Sequence, residues 1–132
     1  CGGVGTGKTF AAALAMSELG GVCIRASRLH IALDPWRNEA REEDQRIDPA
    51  KPRLLCVDDL GTERDPKDPR WAEAFFEVVD ARLDGGWTLI TSNVLRKQLR
   101  ERYDERVIDR LNHAGRVVEI AGQSLRKKGA GL

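Results

Sequence analysis

No apolar run in this 132-residue chain approaches the roughly 18 consecutive residues that a membrane-spanning helix requires. Nor do its first residues show the basic stretch followed by an apolar one that marks a secretory leader, so the expected location is cytoplasmic and no membrane partner is expected. Cysteine is scarce. Cys1, Cys23 and Cys56 are odd in number, far apart and set among apolar neighbours, which excludes a disulfide framework or a zinc-ligand pattern and leaves reduced core thiols as the expectation. Net charge is nearly absent as well: 22 Lys and Arg against 21 Asp and Glu give +1, so any nucleic-acid contact has to come from local basic patches. Disorder, collagen and several domains are excluded by 41% hydrophobic and 33% charged residues without any repeat, the balance of one globular domain over residues 1–132.

What is present begins at the second residue. Gly2-Gly3-Val4-Gly5-Thr6-Gly7-Lys8-Thr9 fits the phosphate-loop pattern G-x-x-x-x-G-K-[ST] and runs straight into an apolar, helix-like stretch, Phe10 to Leu19. Glycines let the backbone turn so that successive amide N–H groups face phosphate oxygens, and the following helix adds the positive end of its dipole. Lys8 supplies a charge for the β- and γ-phosphates, and Thr9 a hydroxyl for the Mg2+ that accompanies ATP. A phosphate loop normally follows a buried strand, yet only Cys1 precedes Gly2. The first, central strand of the sheet is therefore expected to be missing from this chain, with an apolar stretch preceding Cys1 in the natural protein.

The remainder alternates strand and helix, which implies an α/β fold with a parallel sheet and flanking helices, and, with the loop above, a phosphate-loop nucleoside triphosphatase of the additional-strand type. Phe10 to Leu19 reads as a buried helix, Val22 to Ala26 as a short strand, and Ser27 to Pro52 as charged, proline-punctuated surface. Leu54-Leu55-Cys56-Val57 has the continuous apolar character of a strand buried on both faces. Trp71, Phe75, Val78, Val79, Arg82 and Leu83 recur at helical spacing, and Gly85-Gly86 separates that helix from a strand over Trp87 to Thr91. A last helix over Asp104 to Asn112 and a strand over Arg116 to Ile120 complete the pattern.

Chemistry gathers at the carboxyl ends of the strands, where open α/β sheets bind ligands. Asp58 follows four apolar residues and is placed to hold Mg2+ as a Walker B acid. Asp59 stands where many ATPases carry a glutamate that polarises the attacking water, and its shorter reach favours slow, partner-gated turnover. Asn93, ending Thr91-Ser92-Asn93, is placed to donate to the γ-phosphate and hold that water. Arg106 and Arg110 lie one helical turn apart, and either could act as an arginine finger on a neighbour's nucleotide. Arg96-Lys97 with Arg100 and Arg102, and Arg126-Lys127-Lys128, are the basic clusters that could meet DNA phosphates.

These segments, together with Glu-Arg-Val-Ile-Asp-Arg-Leu at 105–111 and the closing Val-Val-Glu-Ile-Ala-Gly-Gln-Ser-Leu-Arg, resemble the AAA+ core of DnaC/DnaI-type helicase loaders and IstB-type transposition ATPases. The resemblance implies ATP as the bound nucleotide, Arg110 as the arginine finger, Asn93 as sensor 1 and Arg126 as a sensor 2-like contact. It also implies a nucleotide-dependent homo-oligomer that engages single-stranded DNA, with a replicative helicase as partner and a transposase as the alternative. An ATP-gated binding module with little hydrolysis is a third reading.

Overall fold

The computed structural model describes residues 7–33, 47–116 and 118–120. Gly2 to Thr6, the charged segment 37–44, and Arg126 with its two lysines lie outside the described residues. Helix α1 (Lys8–Leu19) is followed by strand β1 (Gly21–Arg25), a 3-10 turn (Ala26–Arg28), helix α2 (Leu29–Ala32), strand β2 (Leu54–Leu60) and helix α3 (Pro69–Ala81). Strand β3 (Trp87–Ser92) and helices α4 (Arg96–Arg102) and α5 (Glu105–Ala114) complete the order. The three strands form one parallel sheet in the order β1-β2-β3, as the β-α alternation requires.

β2 is the central strand and buries all but one of its seven residues. Its side chains alternate between two layers. Leu55 and Val57 join a core with Leu29, Trp71, Phe75, Val78, Tyr103 and Val107, drawn from α2, α3 and the α4–α5 region. α1 packs against all three strands. α3 is built as its periodicity predicts: Asp68 caps it by accepting from the Arg70 amide at 3.0 Å, Pro69 opens it, and Trp71, Ala74, Phe75, Val78 and Val79 form its buried stripe. Trp71 stacks on Phe75 with ring centroids 5.3 Å apart and donates its indole N–H to the Ala26 carbonyl at 2.7 Å. Burying each of these large side chains contributes roughly 1.5–3 kcal/mol.

Several expectations need correction. α1 is not a buried helix: only Lys8 and Ala12 are buried, while Phe10 is 76% and Leu14 54% exposed. The helix rests on the sheet along one narrow face, and no described residue covers the rest. β1 starts one residue earlier than the apolar pattern suggests, because Gly21 fits under Met16 and against the Leu54 carbonyl, where a Cβ would lie 2.9 Å from that oxygen. The segment from Ser27 is not plain surface at its start, since Leu29 and Leu33 are buried in the core. Cys56 is the core thiol expected, but Cys23, its register partner on β1, is exposed. The strand anticipated over Arg116 to Ile120 is not found among its described residues: Arg116, Val118 and Glu119 are irregular and Ile120 makes a single bridge. Among the described residues β3 has no strand partner on its second edge, so nothing there templates the last segment into extended pairing.

Arg82, expected on the apolar face of α3, caps it instead and is 6% exposed. Its guanidinium donates to the carbonyls of Pro49 (2.7 Å), Pro52 (2.9 Å), Arg53 (3.2 Å) and Trp87 (2.6 Å) and to the Thr88 hydroxyl (2.8 Å), joining the entrances of β2 and β3. Replacing it by methionine strands several buried acceptors and is expected to lower unfolding free energy by about 2–4 kcal/mol. Chemical denaturation of the Arg82→Met protein measures this, and an unchanged midpoint would contradict the role assigned.

Candidate functional site

The site is built where β2 and β3 end. Their parallel register runs evenly from Leu54 opposite Trp87 to Val57 opposite Ile90, then slips, so that Leu60 lies opposite Ser92. Three steps on β2 are matched by two on β3, and the extra residue falls at Asp58-Asp59. Asp59 takes up the excess by adopting φ 59°, the only positive φ among described non-glycine residues. In a regular strand adjacent side chains point to opposite faces. Here both acids reach the end of β3: Asp58 accepts from the Thr91 hydroxyl, and Asp59 Oδ1 accepts at 3.0 Å from Nδ2 of Asn93, the residue just past the strand.

Thr91 ties the pair together. Its hydroxyl donates to the Asp58 carboxylate while accepting the Asp59 backbone N–H at 3.0 Å, so one buried oxygen fixes the direction of both acids. The Ser92 hydroxyl donates to the Leu60 carbonyl at 2.6 Å and accepts from the Val94 amide at 3.0 Å, fastening the next step of the turn. Gly61 follows with φ 103°, and a Cβ there would sit 2.4 Å from Val94 Cγ2, so only glycine lets the acid turn close on the segment after Asn93.

From the other side comes the start of α1. Gly7, at φ 85°, turns the chain into the helix, and its carbonyl accepts the Ala11 amide at 2.9 Å. That places Thr9 Oγ1 3.3 Å from Asp58 Oδ1, to which it donates, and brings buried Lys8 to the groove of about 690 Å³ that Thr91 and Ser92 also line. A hydroxyl and a carboxylate at this spacing are hard oxygen donors of the kind Mg2+ takes at neighbouring corners of its octahedron, and they fit that ion.

The structure brings Thr9, Asp58, Asp59 and Asn93 together, while Lys8, next to Thr9 at the start of α1, lines a groove that none of those four lines. Arg106 and Arg110 are engaged elsewhere, on α3. Arg110 forms an ion pair with Asp80, Arg106 pairs with Asp104 at 3.4 Å, and both guanidinium groups lie over the Phe76 ring, 5.9 and 5.6 Å from its centre. Arg102 leaves the proposed basic patch, being half-buried with Nη2 donating to the Glu63 carbonyl at 2.7 Å. Thr91 is the functional residue that motif reading passes over. The signal was available, since a residue two before Asn93 on a strand shares its face.

A parallel sheet with α1 starting beside a carboxylate at the end of its central strand is the arrangement of a phosphate-loop protein, and the family and fold matches place it in the AAA+ class. The chain belongs to the IstB-like ATP-binding protein family, whose model matches residues 1–131. It is 34% identical over 95 residues to the ATP-binding protein of insertion sequence IS232 from Bacillus thuringiensis subsp. berliner, an alignment covering 68% of this chain and 37% of that protein. Among solved structures, the DnaC helicase loader matches with a TM-score of 0.66 and 22% identity over 90% of this chain and 75% of that one. DnaA from Aquifex aeolicus bound to AMPPCP matches at 0.59 and 24%, over 90% and 38%. The chain therefore spans little more than a third of the insertion-sequence protein it matches.

Replacing Thr91 by valine keeps the volume and removes the hydroxyl that serves both acids. Stability is expected to fall by about 1–3 kcal/mol, with Thr91→Ser recovering most of it. Thermal or urea unfolding of the two variants reads the difference, and equal losses in both would refute the bridging role.

Proposed function

We propose that this chain is the nucleotide-hydrolysing core of an ATPase that assembles with copies of itself and acts on DNA in transposition. The observation carrying the ATPase reading is the convergence of Thr9, Asp58, Thr91, Asp59 and Asn93 at one strand end. The family, and the 34% identity to an insertion-sequence ATP-binding protein, favour transposition and a transposase partner. The fold shared with the DnaC helicase loader favours the second reading, delivery of a replicative helicase in DNA replication. In either case a cytoplasmic protein beside single-stranded DNA is the setting.

The division of labour combines the geometry of the described residues with the motifs of the sequence. Gly2 to Thr6 would wrap the phosphates by their amides, with Gly7 turning the chain into α1 and Lys8 adding a positive charge beside the β- and γ-phosphates. Thr9 and Asp58 would hold Mg2+, which when bound neutralises charge on the phosphate oxygens. Asp59, steered by Asn93, accepts a proton from the water that attacks the γ-phosphorus, and Asn93 holds that water in line. Arg110 would leave Asp80 to neutralise the phosphoryl group on an adjoining subunit, and Arg126 would contact the nucleotide of its own.

Equilibrium binding of a fluorescent ATP analogue with Mg2+, paired with phosphate release in the presence of DNA, tests this. Lys8→Ala is expected to weaken binding at least about tenfold. Asp59→Asn is expected to bind as the parent does while phosphate release falls by about 10²- to 10⁴-fold. Binding that ignores Lys8 would remove the nucleotide reading. A phosphate-release rate indifferent to Asp59 would remove that residue as the proton acceptor, and no release by the parent would leave only a nucleotide-gated binding module. Pull-downs with transposase and with replicative helicase separate the two partner readings.

A further inference from the structure

Behind the acid turn sits a second buried carboxylate that the proposed chemistry does not use. Glu63 is 4% exposed, and its two oxygens accept the Gly61 amide at 3.2 and 3.0 Å. Oε2 also accepts the Tyr103 hydroxyl, and the backbone carbonyl of Glu63 accepts Arg102 Nη2 at 2.7 Å. Arg102 and Tyr103 close α4, and Asp104, next in the chain, caps α5 by accepting the Arg106 amide at 2.8 Å. Tyr103 is itself fixed by packing on Trp71, with ring centroids 5.2 Å apart. Burial and the facing carboxylate push its pKa up, so the phenol remains a hydrogen-bond donor throughout the neutral range.

A structural helix-to-turn tie would account for one of these contacts. The arrangement does more, because of where it grips. The Gly61 amide lies two residues beyond Asp59, in a turn that also has the Thr62 amide and hydroxyl on the Asp59 carbonyl at 3.2 and 2.8 Å. That turn presses on Val94, directly after the Asn93 that orients Asp59. Loosening Gly61 therefore loosens the left-handed backbone of Asp59 and its partner together. Asp58 has Thr9 as a partner outside the turn and meets the Asp59 backbone only through the shared Thr91 hydroxyl, so it lies one contact further from this grip.

We infer that Glu63 and Tyr103 are positioning residues for hydrolysis, a buried carboxylate–phenol pair that holds the Asp59 turn against Asn93 and links it to the first turn of the arginine-bearing helix α5. The inference rests on the ATPase reading. It predicts a division that general destabilisation does not produce, in which the attack step suffers while Mg2+-nucleotide binding is spared.

Tyr103→Phe removes the hydroxyl and keeps the ring stack on Trp71, and Glu63→Gln keeps the volume while leaving an amide N–H₂ facing a donor. In the intact protein, both are expected to lower the kcat for phosphate release by about 3- to 10-fold with KM for ATP within about twofold of the parent. The loss should vanish in an Asp59→Asn background, where the double variant releases phosphate at the rate of Asp59→Asn alone in single-turnover experiments. The side-chain amide resonance of Asn93 should shift in Tyr103→Phe. An equal loss of rate with and without Asp59, a rise in KM at unchanged kcat, or a parental rate with an unmoved Asn93 resonance would each overturn the inference. Should the parent release no phosphate with DNA and partner present, the ATPase reading falls by itself. The Asn93 resonance then decides alone: a shift keeps the positioning pair, and none removes it.

Discussion

Two acids adjacent in sequence cannot both face one ligand from a regular strand, because the pleat sends successive side chains to opposite sides of the sheet. The register slip between β2 and β3 removes that conflict, inserting one unmatched residue at the acid pair and placing Asp59 in the left-handed region. Such a backbone costs of order 1 kcal/mol for a non-glycine residue and persists only where neighbours over-determine it. Here Thr91 holds the amide of Asp59, Thr62 its carbonyl and Asn93 its carboxylate. The site depends on this kink, since without it Asp59 would point away from Asn93, and the turn through Gly61 to Glu63 would lose its path past Val94.

How much of this the residues announce depends on the range over which their partners lie. Lys8, Thr9, Asp58 and Asn93 are legible because each carries its role in a local pattern: a glycine-rich loop before a helix, an acid after a buried run, an amide at a strand end. The slip is not legible, because register is a property of two strands and Leu54 to Leu60 read alone is an even apolar run. Glu63 is hidden for the same reason. In sequence it is one more acid in a polar stretch, and only the approach of Tyr103, forty residues on, turns it into a buried acceptor.

The elements divide similarly. α3 and α5 follow from spacing and from Asp68 and Asp104 as caps, whose side chains accept the amides two residues on. The exposure of α1 is not legible because uniform apolar character does not say which face is covered, and only Lys8 and Ala12 are buried. α4 leaves no apolar periodicity, since Arg96 to Arg102 is charged almost throughout and buries a single residue, Leu99. The segment 116–120 has strand-like composition, but a strand needs a neighbour, and β3 offers its second edge to none of the described residues.

The arginines show how context, not residue type, assigns work to a charge. Arg82 is enclosed by four carbonyls and a hydroxyl, its charge dispersed over neutral acceptors, and it can only fasten the strand entrances. Arg102 spends one nitrogen on the Glu63 carbonyl and leaves buried Nε without a partner, so its value is geometric. Arg110 is different in kind. Its ion pair with Asp80 is half-exposed on both sides, and pairs in such a setting contribute about 0–1 kcal/mol. The phosphate chain proposed as its ligand carries more negative charge than one surface aspartate. Giving up its present partners would therefore cost Arg110 far less than it would cost Arg82, whose five acceptors would be left buried and unsatisfied, so of these three charges it is the one whose setting leaves room for the exchange proposed above.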